Sequence, residues 1–243
     1  MKRMMIVGAS SGIGYGCARF LLERGVSLGL ASRRTAPLEA LADEFPGQVV
    51  YESIDVASPD APERIRSLAA RMGGLDYYFH VAGMGTGNSE LDPETEAEIF
   101  GVNTVGAVRC VAAAYSLMKE RGGNIAVLTS VAGTKGIGDM AAYSASKGAV
   151  SEWLVALEQR ARRDKVPVSF TDIRPGFIDT PLLGGKRQMM EMSLEYAVPL
   201  IIGALARRPR VAVIDWRWNL VVGLWRLIPN SLWVRIPLRM DAL

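Results

Sequence analysis

The chain has 243 residues, of which 49% are hydrophobic and 22% charged, which suits one α/β domain with a substantial core. A net charge of +3 is too small to indicate a nucleic-acid-binding protein, so we expect no nucleic-acid partner. A single histidine argues against a histidine metal cluster or a Ser-His-Asp triad, and we expect no metal. Cys17 and Cys110 fall within helical patterns and are typical of free thiols in a reducing compartment.

The first predicted strand, residues 4–7, leads into a glycine-rich turn, and helical periodicity follows over residues 15–24. Glycines let the backbone turn sharply and approach a pyrophosphate, and the helix N-terminus offers free N–H groups with a positive dipole. The spacing G-x-x-x-G-x-G alone is compatible with a simple tight turn, but its place at the first strand–helix junction predicts a nucleotide site. The residues assigned to it are Gly8, Ser10, Ser11, Gly12, Ile13 and Gly14.

The second predicted strand, residues 26–31, is followed by Ser32-Arg33-Arg34 and by no acid. A site that selects NAD places an acid about 20 residues after the glycine turn, on the ribose hydroxyls. Arg33 stands 19 positions after Gly14, and a guanidinium suits a 2′-phosphate. We therefore predict NADP as the preferred cofactor, with NAD as the alternative, and interpret Arg34 as solvated surface charge.

A helix over residues 37–45 and a strand over residues 49–54 precede Asp55 and Val56, which we assign to the cofactor site. Asp55 can accept a hydrogen bond from an adenine amino group or cap the helix that includes residues 63–72, and the sequence leaves both alternatives open.

The fourth predicted strand, residues 75–80, is closed by Val81-Ala82-Gly83, and we expect the cofactor to lie against the backbone of Ala82 and Gly83. His80 is interpreted as a hydrogen-bonded residue that stabilises the end of this strand rather than as a catalytic group. A long helix then opens at Asp92 or Pro93 and contains Asn103 among valines. Because its amide competes with the backbone, Asn103 either bridges helix and sheet or holds a water near the site.

The chemistry centres on Tyr143 and Lys147, whose four-residue spacing places both side chains on one face of a helix that runs to about residue 162. A phenol has a pKa of about 10, and a nearby ammonium favours the phenolate, so the pair can exchange a proton nearer neutral pH. Ser130 follows the buried strand 124–129, at the sheet edge where open α/β sheets bind ligands. Its hydroxyl can bond the oxygen that Tyr143 protonates.

The strand over residues 166–173 ends in Pro175 and Gly176, a tight exit with exposed backbone groups suited to a nicotinamide amide. Ile178 and Thr180 follow, and Thr180 either binds phosphate or caps a helix. Residues 182–192 lack periodicity and are interpreted as a mobile lid. A helix over residues 193–208 and a last strand over residues 211–214 complete the pattern.

Over residues 4–215 the chain resembles the short-chain dehydrogenase/reductase family. The resemblance rests on motifs in the family's order: Gly8, Gly12, Gly14, Asp55, Ala82-Gly83, Asn103, Ser130, Tyr143, Lys147 and Pro175-Gly176. It implies an α/β, Rossmann-like, doubly wound and mostly parallel seven-stranded sheet with helices on both faces, and a homodimer or tetramer.

The resemblance also implies a mechanism. Tyr143 is the general acid in reduction and the base in oxidation, Lys147 lowers its pKa and holds the nicotinamide ribose, Ser130 orients the carbonyl and Asn103 holds a relay water. The chain departs from the family at His80-Val81, where asparagines usually stand.

Residues 216–243 form an apolar and basic C-terminal extension beyond the catalytic domain, residues 1–215. Asn219, Gly223 and Arg226 share a narrow polar face, and Arg226 and Pro229 interrupt the apolar run short of a bilayer span. An interfacial helix at a membrane fits this pattern better. The alternatives are a tail that packs on its own core, covers the substrate cleft or forms a dimer interface.

We therefore expect a cytoplasmic NADPH-dependent enzyme, in peripheral contact with the inner face of the membrane if the tail is interfacial, that reduces a ketone or aldehyde of a hydrophobic small molecule. The alternatives are an NAD-dependent alcohol dehydrogenase and a non-catalytic nucleotide-binding scaffold at a membrane.

Overall fold

The computed structural model describes residues 3–85, 87–180 and 188–237. Within these ranges seven parallel strands form one sheet in the order β3-β2-β1-β4-β5-β6-β7. They are β1 (Met4–Val7), β2 (Leu28–Ser32), β3 (Val49–Ser53), β4 (Tyr77–His80), β5 (Gly123–Leu128), β6 (Val168–Pro175) and β7 (Val211–Ile214). The doubly wound sheet is confirmed. The strand order reverses between β1 and β4, and the crevice at their carboxyl ends is where such sheets bind ligands.

Helices cover both faces of the sheet. They are α1 (Gly12–Leu22), α2 (Ala36–Glu44), α3 (Ala61–Arg71), α4 (Pro93–Phe100), α5 (Ala107–Met118), α6 (Ala141–Arg163), α7 (Leu194–Arg207), α8 (Trp216–Trp225) and α9 (Asn230–Trp233). One buried cluster joins the sheet to α1, α2, α7 and α8, and a second joins it to α3, α5 and α6. Because both faces are covered, strands such as β1 and β4 are buried along their whole length.

The long helix predicted from Asp92 or Pro93 contains an interval that the sequence did not predict. Asp92 caps it by accepting from the Thr95 N–H, and Gly101–Gly106 is π-helical between α4 and α5. The whole stretch, Pro93–Met118, is long and apolar enough by length and composition to cross a membrane. It packs instead against α3 and α6 and contributes buried residues such as Cys110, Val111 and Met118 to the core, whereas Phe100, Val105 and Leu117 remain exposed.

The C-terminal extension folds back onto the domain. The Asp215 carboxylate accepts from the Arg217 N–H and begins α8, which contacts β7 and the short 3₁₀ helix Val131–Thr134. Trp218 and Val222 of α8 are buried in the same cluster as α1 and α7. The described part of the tail therefore lies at the carboxyl edge of the sheet.

Candidate active site

The glycine turn after β1 has a backbone that side chains would obstruct. Gly8 and Gly12 have φ values of +95° and +52°, which favour glycine. A side chain at Gly8 would overlap the backbone of Ala82, and one at Gly14 would overlap the Gly8 carbonyl. The turn thus brings the N-terminus of α1 against the end of β4. A pyrophosphate can then approach the free backbone N–H groups at this helix N-terminus.

Arg34, not Arg33, reaches this turn. Its guanidinium lies 3.2 Å from Ser11 Oγ and 3.4 Å from Ser10 Oγ. The Ser32 hydroxyl donates to the Arg34 carbonyl at 2.6 Å, which closes a tight bend just after β2. Arg34 is exposed, as its interpretation as a solvated charge expects, and its guanidinium also contacts the glycine turn. Arg33 is exposed beside it at the end of β2.

Asp55 is exposed after β3, and its carboxylate accepts from the Ala57 N–H at 3.0 Å. Asp60 stands at the N-cap position of α3, although its side chain makes no capping hydrogen bond. Asp55 is therefore not the N-cap of that helix, although it stabilises the local turn. Val56 beside it is buried, with its carbonyl against Gly106.

The exit of β4 supports the interpretation of His80 as a structural residue. His80 Nδ1 lies 3.0 Å from the Tyr78 hydroxyl. Burial, followed by the charge of Lys147, lowers the pKa of His80 to about 3, so the ring is neutral at physiological pH. Beyond it, a side chain at Gly83 would touch Lys147 Nζ and Asn103 Oδ1. Gly83 therefore leaves both polar groups open to a ligand.

Asn103 bridges the π-helical interval to the loop after β4. Its Oδ1 accepts from the Met84 N–H at 2.8 Å, and its Nδ2 donates to the Met84 carbonyl at 2.8 Å and to Ser146 Oγ at 3.1 Å. Of the two alternatives for this buried amide, the bridging role is thus visible. The π-helical turn offsets the helix by one residue at this point, in keeping with the tendency of π-bulges to lie at functional sites.

Ser130, Tyr143 and Lys147 converge where β5 ends. Ser130 stands at the start of the 3₁₀ helix Val131–Thr134, and it lines the same cavity as Tyr143. Tyr143 and Lys147 lie one turn apart on α6, with Lys147 Nζ 5.9 Å from the centre of the phenol ring. Lys147 Nζ also donates to the Leu128 carbonyl at 3.0 Å. The predicted triad is therefore assembled in one place.

The pKa values of the pair differ from the sequence-based expectation. Burial raises the pKa of Tyr143, and the hydrogen bond from Ser130 opposes that shift. Burial lowers the pKa of Lys147 to about 8, against the opposing charge of Asp172. Desolvation outweighs the effect of Ser130, so the expected lowering of the Tyr143 pKa is not seen.

A cavity of about 350 Å³ lies over these groups and is lined mostly by apolar side chains. Ser130, Tyr143 and Lys147 contribute its polar wall. Other residues that the sequence assigned to the site also line it, namely Ile13, Gly83, Pro175, Gly176, Ile178 and Thr180. Thr180 lies against Gly12, which places the exit of β6 beside the glycine turn. Residues 182–187 of the predicted lid lie outside the described residues.

The tail supplies the opposite wall of the cavity, which the sequence left as one of several alternatives. Trp218, Val221, Trp225, Trp233 and Ile236 all line it. The three tryptophans form a chain of ring contacts, with centroids 6.4 Å apart for Trp218–Trp225 and 5.7 Å for Trp225–Trp233. Trp218 Nε1 is buried without a hydrogen-bond partner among the described residues.

Comparison with known proteins identifies the fold and the chemistry. The family model for short chain dehydrogenases matches residues 2–191. The chain belongs to the short-chain dehydrogenase/reductase family.

An uncharacterized oxidoreductase of Myxococcus xanthus is 35% identical over 240 residues, 95% of this chain and 94% of that protein. A 3-oxoacyl-[acyl-carrier-protein] reductase of Bos taurus is 29% identical over 82% of this chain and 84% of its own. An alcohol dehydrogenase of Thermococcus sibiricus, solved with 5-hydroxy-NADP, is 28% identical over 88% of this chain and 95% of its own, with a TM-score of 0.77. The protein is therefore a short-chain NAD(P)-dependent oxidoreductase that acts on a small molecule.

The residues of this short-chain dehydrogenase/reductase fit a dinucleotide. Gly8 and Gly14 allow the backbone of the turn to pack closely against Ala82 and the start of α1, and Gly83 leaves Lys147 open. The buried Trp218 N–H also lacks a partner within the described chain, beside Gly176. A nicotinamide cofactor supplies a hydride when bound to such a site.

Proposed function

We propose that the protein is an NADPH-dependent reductase that converts the carbonyl group of a hydrophobic ketone or aldehyde to an alcohol. The observation that carries the proposal is the convergence of Ser130, Tyr143 and Lys147 on a mostly apolar cavity. The alternative, a vestigial and non-catalytic site, requires that these three groups take no part in any reaction, although each lines the cavity.

In this proposal the chain's own residues handle the proton and the orientation of the substrate. The Ser130 hydroxyl donates a hydrogen bond to the carbonyl oxygen, and the Tyr143 hydroxyl gives its proton to that oxygen as hydride reaches the carbon. Lys147 Nζ lies close enough to the phenol to stabilise the phenolate left behind. Asn103 holds the loop at Met84. Its hydrogen bond to Ser146 also supports α6, the helix that carries Lys147.

The apolar character of the cavity supports a hydrophobic substrate. Aromatic rings of Trp218, Trp225 and Trp233 face the polar wall that carries Tyr143. A ligand binds such a pocket more tightly when more of its apolar surface is removed from water. A small polar carbonyl compound would leave the pocket poorly filled. The mammalian relative's name, a 3-oxoacyl reductase, is in keeping with a carbonyl attached to an apolar chain.

The proposed preference for NADPH rests on two arginines and the absence of an acid after β2. Arg34 lies at the glycine turn, and Arg33 is exposed next to it. Two guanidinium groups beside the ribose position favour a 2′-phosphate. We assign the 2′-phosphate to both residues, and the adenosine side of the site to Asp55 and Val56.

Turnover assays with NADPH and NADH test this proposal. We expect wild-type enzyme to oxidise NADPH with lipophilic aldehydes or ketones and to use NADH less well. Arg33→Ala and Arg34→Ala should each raise the KM for NADPH while leaving that for NADH nearly unchanged. The absence of turnover across a broad carbonyl panel contradicts the reductase assignment, and an unchanged NADPH preference in both variants contradicts the role of the arginines.

We also propose that the enzyme works in the cytoplasm as a homodimer or tetramer. Leu117 of α5 and Val155 of α6 expose more than a third of their surface, as residues at a subunit contact do in the free chain. Cys17 and Cys110 are free and buried, which suits a reducing compartment. Sedimentation equilibrium tests the assembly, and a strictly monomeric protein at micromolar concentration contradicts it.

A further inference from the structure

The described part of the tail has an apolar outer surface. Trp216, Leu220 and Leu224 follow one another at helical spacing along α8 and are 67%, 59% and 69% exposed. Leu227, just beyond α8, is 79% exposed. We call these four residues the outer stripe. The opposite face of the same helix buries Trp218 and Val222, so α8 is apolar on two faces, and the described residues cover only one of them.

The segment that carries the outer stripe is basic in sequence, and its Arg226 shares a surface pocket with Glu158 and Asp172 of the main domain. Residues 216–237 contain three arginines and neither aspartate nor glutamate. Arg217 is paired with Asp215. Arg226 and Arg235 make no ion pair within the part of the chain that the structure describes. A helix with a tryptophan and leucines on one side and arginines beside them has the character of an interfacial membrane helix, whose cations meet anionic headgroups.

A second copy of the chain fits the outer stripe less well. A two-fold interface places the same surface against itself, so Arg226 and Arg235 of both subunits would approach one another. The described tail has no carboxylate to compensate them, since Asp215 is already paired. An anionic bilayer accommodates the leucines in its apolar layer and the arginines at its phosphates without this repulsion.

The exposed apolar surface of the tail also reaches the edge of the substrate cavity. Ile236 lines the cavity and is 40% exposed, so the cavity rim and the exposed tail share an apolar residue. The inner face of α8, through Val221 and Trp225, is cavity wall. A single helix of 10 residues therefore separates the outer stripe from the space above Tyr143.

We propose that the outer stripe binds an anionic phospholipid surface and that the enzyme takes its carbonyl substrate from that surface. The second part rests on the proposed reduction of a hydrophobic carbonyl. The first part concerns binding alone, and it can be measured without turnover.

Vesicle binding by the full-length protein tests the first part. We expect co-sedimentation with vesicles of phosphatidylcholine and phosphatidylglycerol, weaker binding to phosphatidylcholine alone, and a loss of affinity at high salt. Leu224→Glu should weaken binding by about tenfold or more, since it replaces buried apolar surface with a charge that anionic lipid repels. The matched control is Leu91→Glu, which makes the same change at a leucine that is 62% exposed outside the tail. Equal binding by the two variants overturns the proposal.

Contact quenching by brominated lipid locates the bound surface. Trp216 is the exposed tryptophan of the outer stripe, whereas Trp153 lies on α6. We expect brominated vesicles to quench wild-type fluorescence, with most of the effect lost in Trp216→Phe and retained in Trp153→Phe. Retention of the quenching in Trp216→Phe overturns the proposal.

Turnover in vesicle-free buffer separates this inference from the proposed function. We expect Leu224→Glu to reduce a water-soluble aldehyde at the wild-type rate and to lose rate only with a carbonyl lipid dissolved in vesicles. Vesicle binding without turnover of any carbonyl leaves the docking surface intact and contradicts the reductase. Turnover without vesicle binding supports the reductase and contradicts the docking surface. A change from dimer to monomer in Leu224→Glu, without vesicle binding by wild type, assigns the outer stripe to a subunit interface and overturns the inference.

Discussion

Trp225 of α8 donates its indole N–H to Thr134 Oγ1 at 2.8 Å, which joins the tail to the segment between Ser130 and Tyr143. Two further contacts reach the same segment. Trp233 Nε1 donates to the Gly136 carbonyl at 2.7 Å, and Lys135 Nζ donates to the Ile228 carbonyl at 2.7 Å. The position of the tail and the placement of the catalytic hydroxyls are therefore coupled.

Trp225→Phe tests that coupling. The variant removes the hydrogen bond, which contributes about 0.5–1.5 kcal/mol, and keeps most of the apolar surface. We expect the KM for a bulky apolar carbonyl to rise by about twofold to tenfold, with little change in kcat. Steady-state kinetics measure it, and Trp216→Phe, on the exposed side of α8, is the matched control. Equal effects of the two substitutions contradict the assignment of Trp225 to the cavity wall.

The pH dependence of carbonyl reduction should report Lys147. Burial lowers its pKa to about 8, so the ammonium is present below that pH and is lost above it. We expect kcat/KM to fall as the pH rises through about 8. Asp172→Asn removes the charge that opposes this shift, so the fall should begin at a lower pH.

Arg174→Gln is the control for this pH shift, because Arg174 is the ion-pair partner of Asp172 and its loss keeps the carboxylate. Its profile should not move to lower pH. Identical profiles for wild type and Asp172→Asn contradict the electrostatic role of Asp172.

His80 should make the fold less stable in mild acid. Its pKa is about 3 in the folded protein and about 6.5 when unfolded, so between these values only the unfolded chain binds the proton. The free energy of unfolding then falls as the pH falls, by about 1.4 kcal/mol per pH unit from this group. We expect the stability difference between wild type and His80→Asn to change by about 2 kcal/mol between pH 7 and pH 5 in urea titrations. A difference independent of pH contradicts the buried neutral ring.

Gly176 should resist enlargement because of the tail. A side chain there would overlap the indole of Trp218, so Gly176→Ala should cost about 1–3 kcal/mol of stability. The added cost should shrink in a Trp218→Ala background, as thermal or urea unfolding would show. Gly223→Ala is the control, since a side chain there meets open space. The same cost of Gly176→Ala in both backgrounds would show that Trp218 is not the obstacle.

The parts of the site that the sequence predicted depend on local spacing. Tyr143 and Lys147 lie one turn apart because they are four residues apart on a helix, and the apolar run before Ser130 places it at a strand end. The seven parallel strands likewise follow from apolar runs that alternate with helical patterns. In each case the determining residues are neighbours in the chain.

The parts that the sequence did not predict depend on distant contacts or on small local turns. Arg33 and Arg34 are chemically identical, and the sequence does not show that Arg34, after the tight bend that follows β2, is the one that reaches the glycine turn. The tail is apolar on two faces, and contacts with distant residues decide which face is covered. Trp225 bonds Thr134, 91 residues away along the chain, and Trp233 bonds Gly136, 97 residues away.

The most direct test of the central claim is the rate of NADPH oxidation by Tyr143→Phe with a lipophilic aldehyde. Removing the proton donor should lower kcat/KM by about 10²–10⁴-fold while fluorescence titration shows unchanged NADPH binding. Equal rates for the variant and the wild type would contradict the assignment of Tyr143 as the acid.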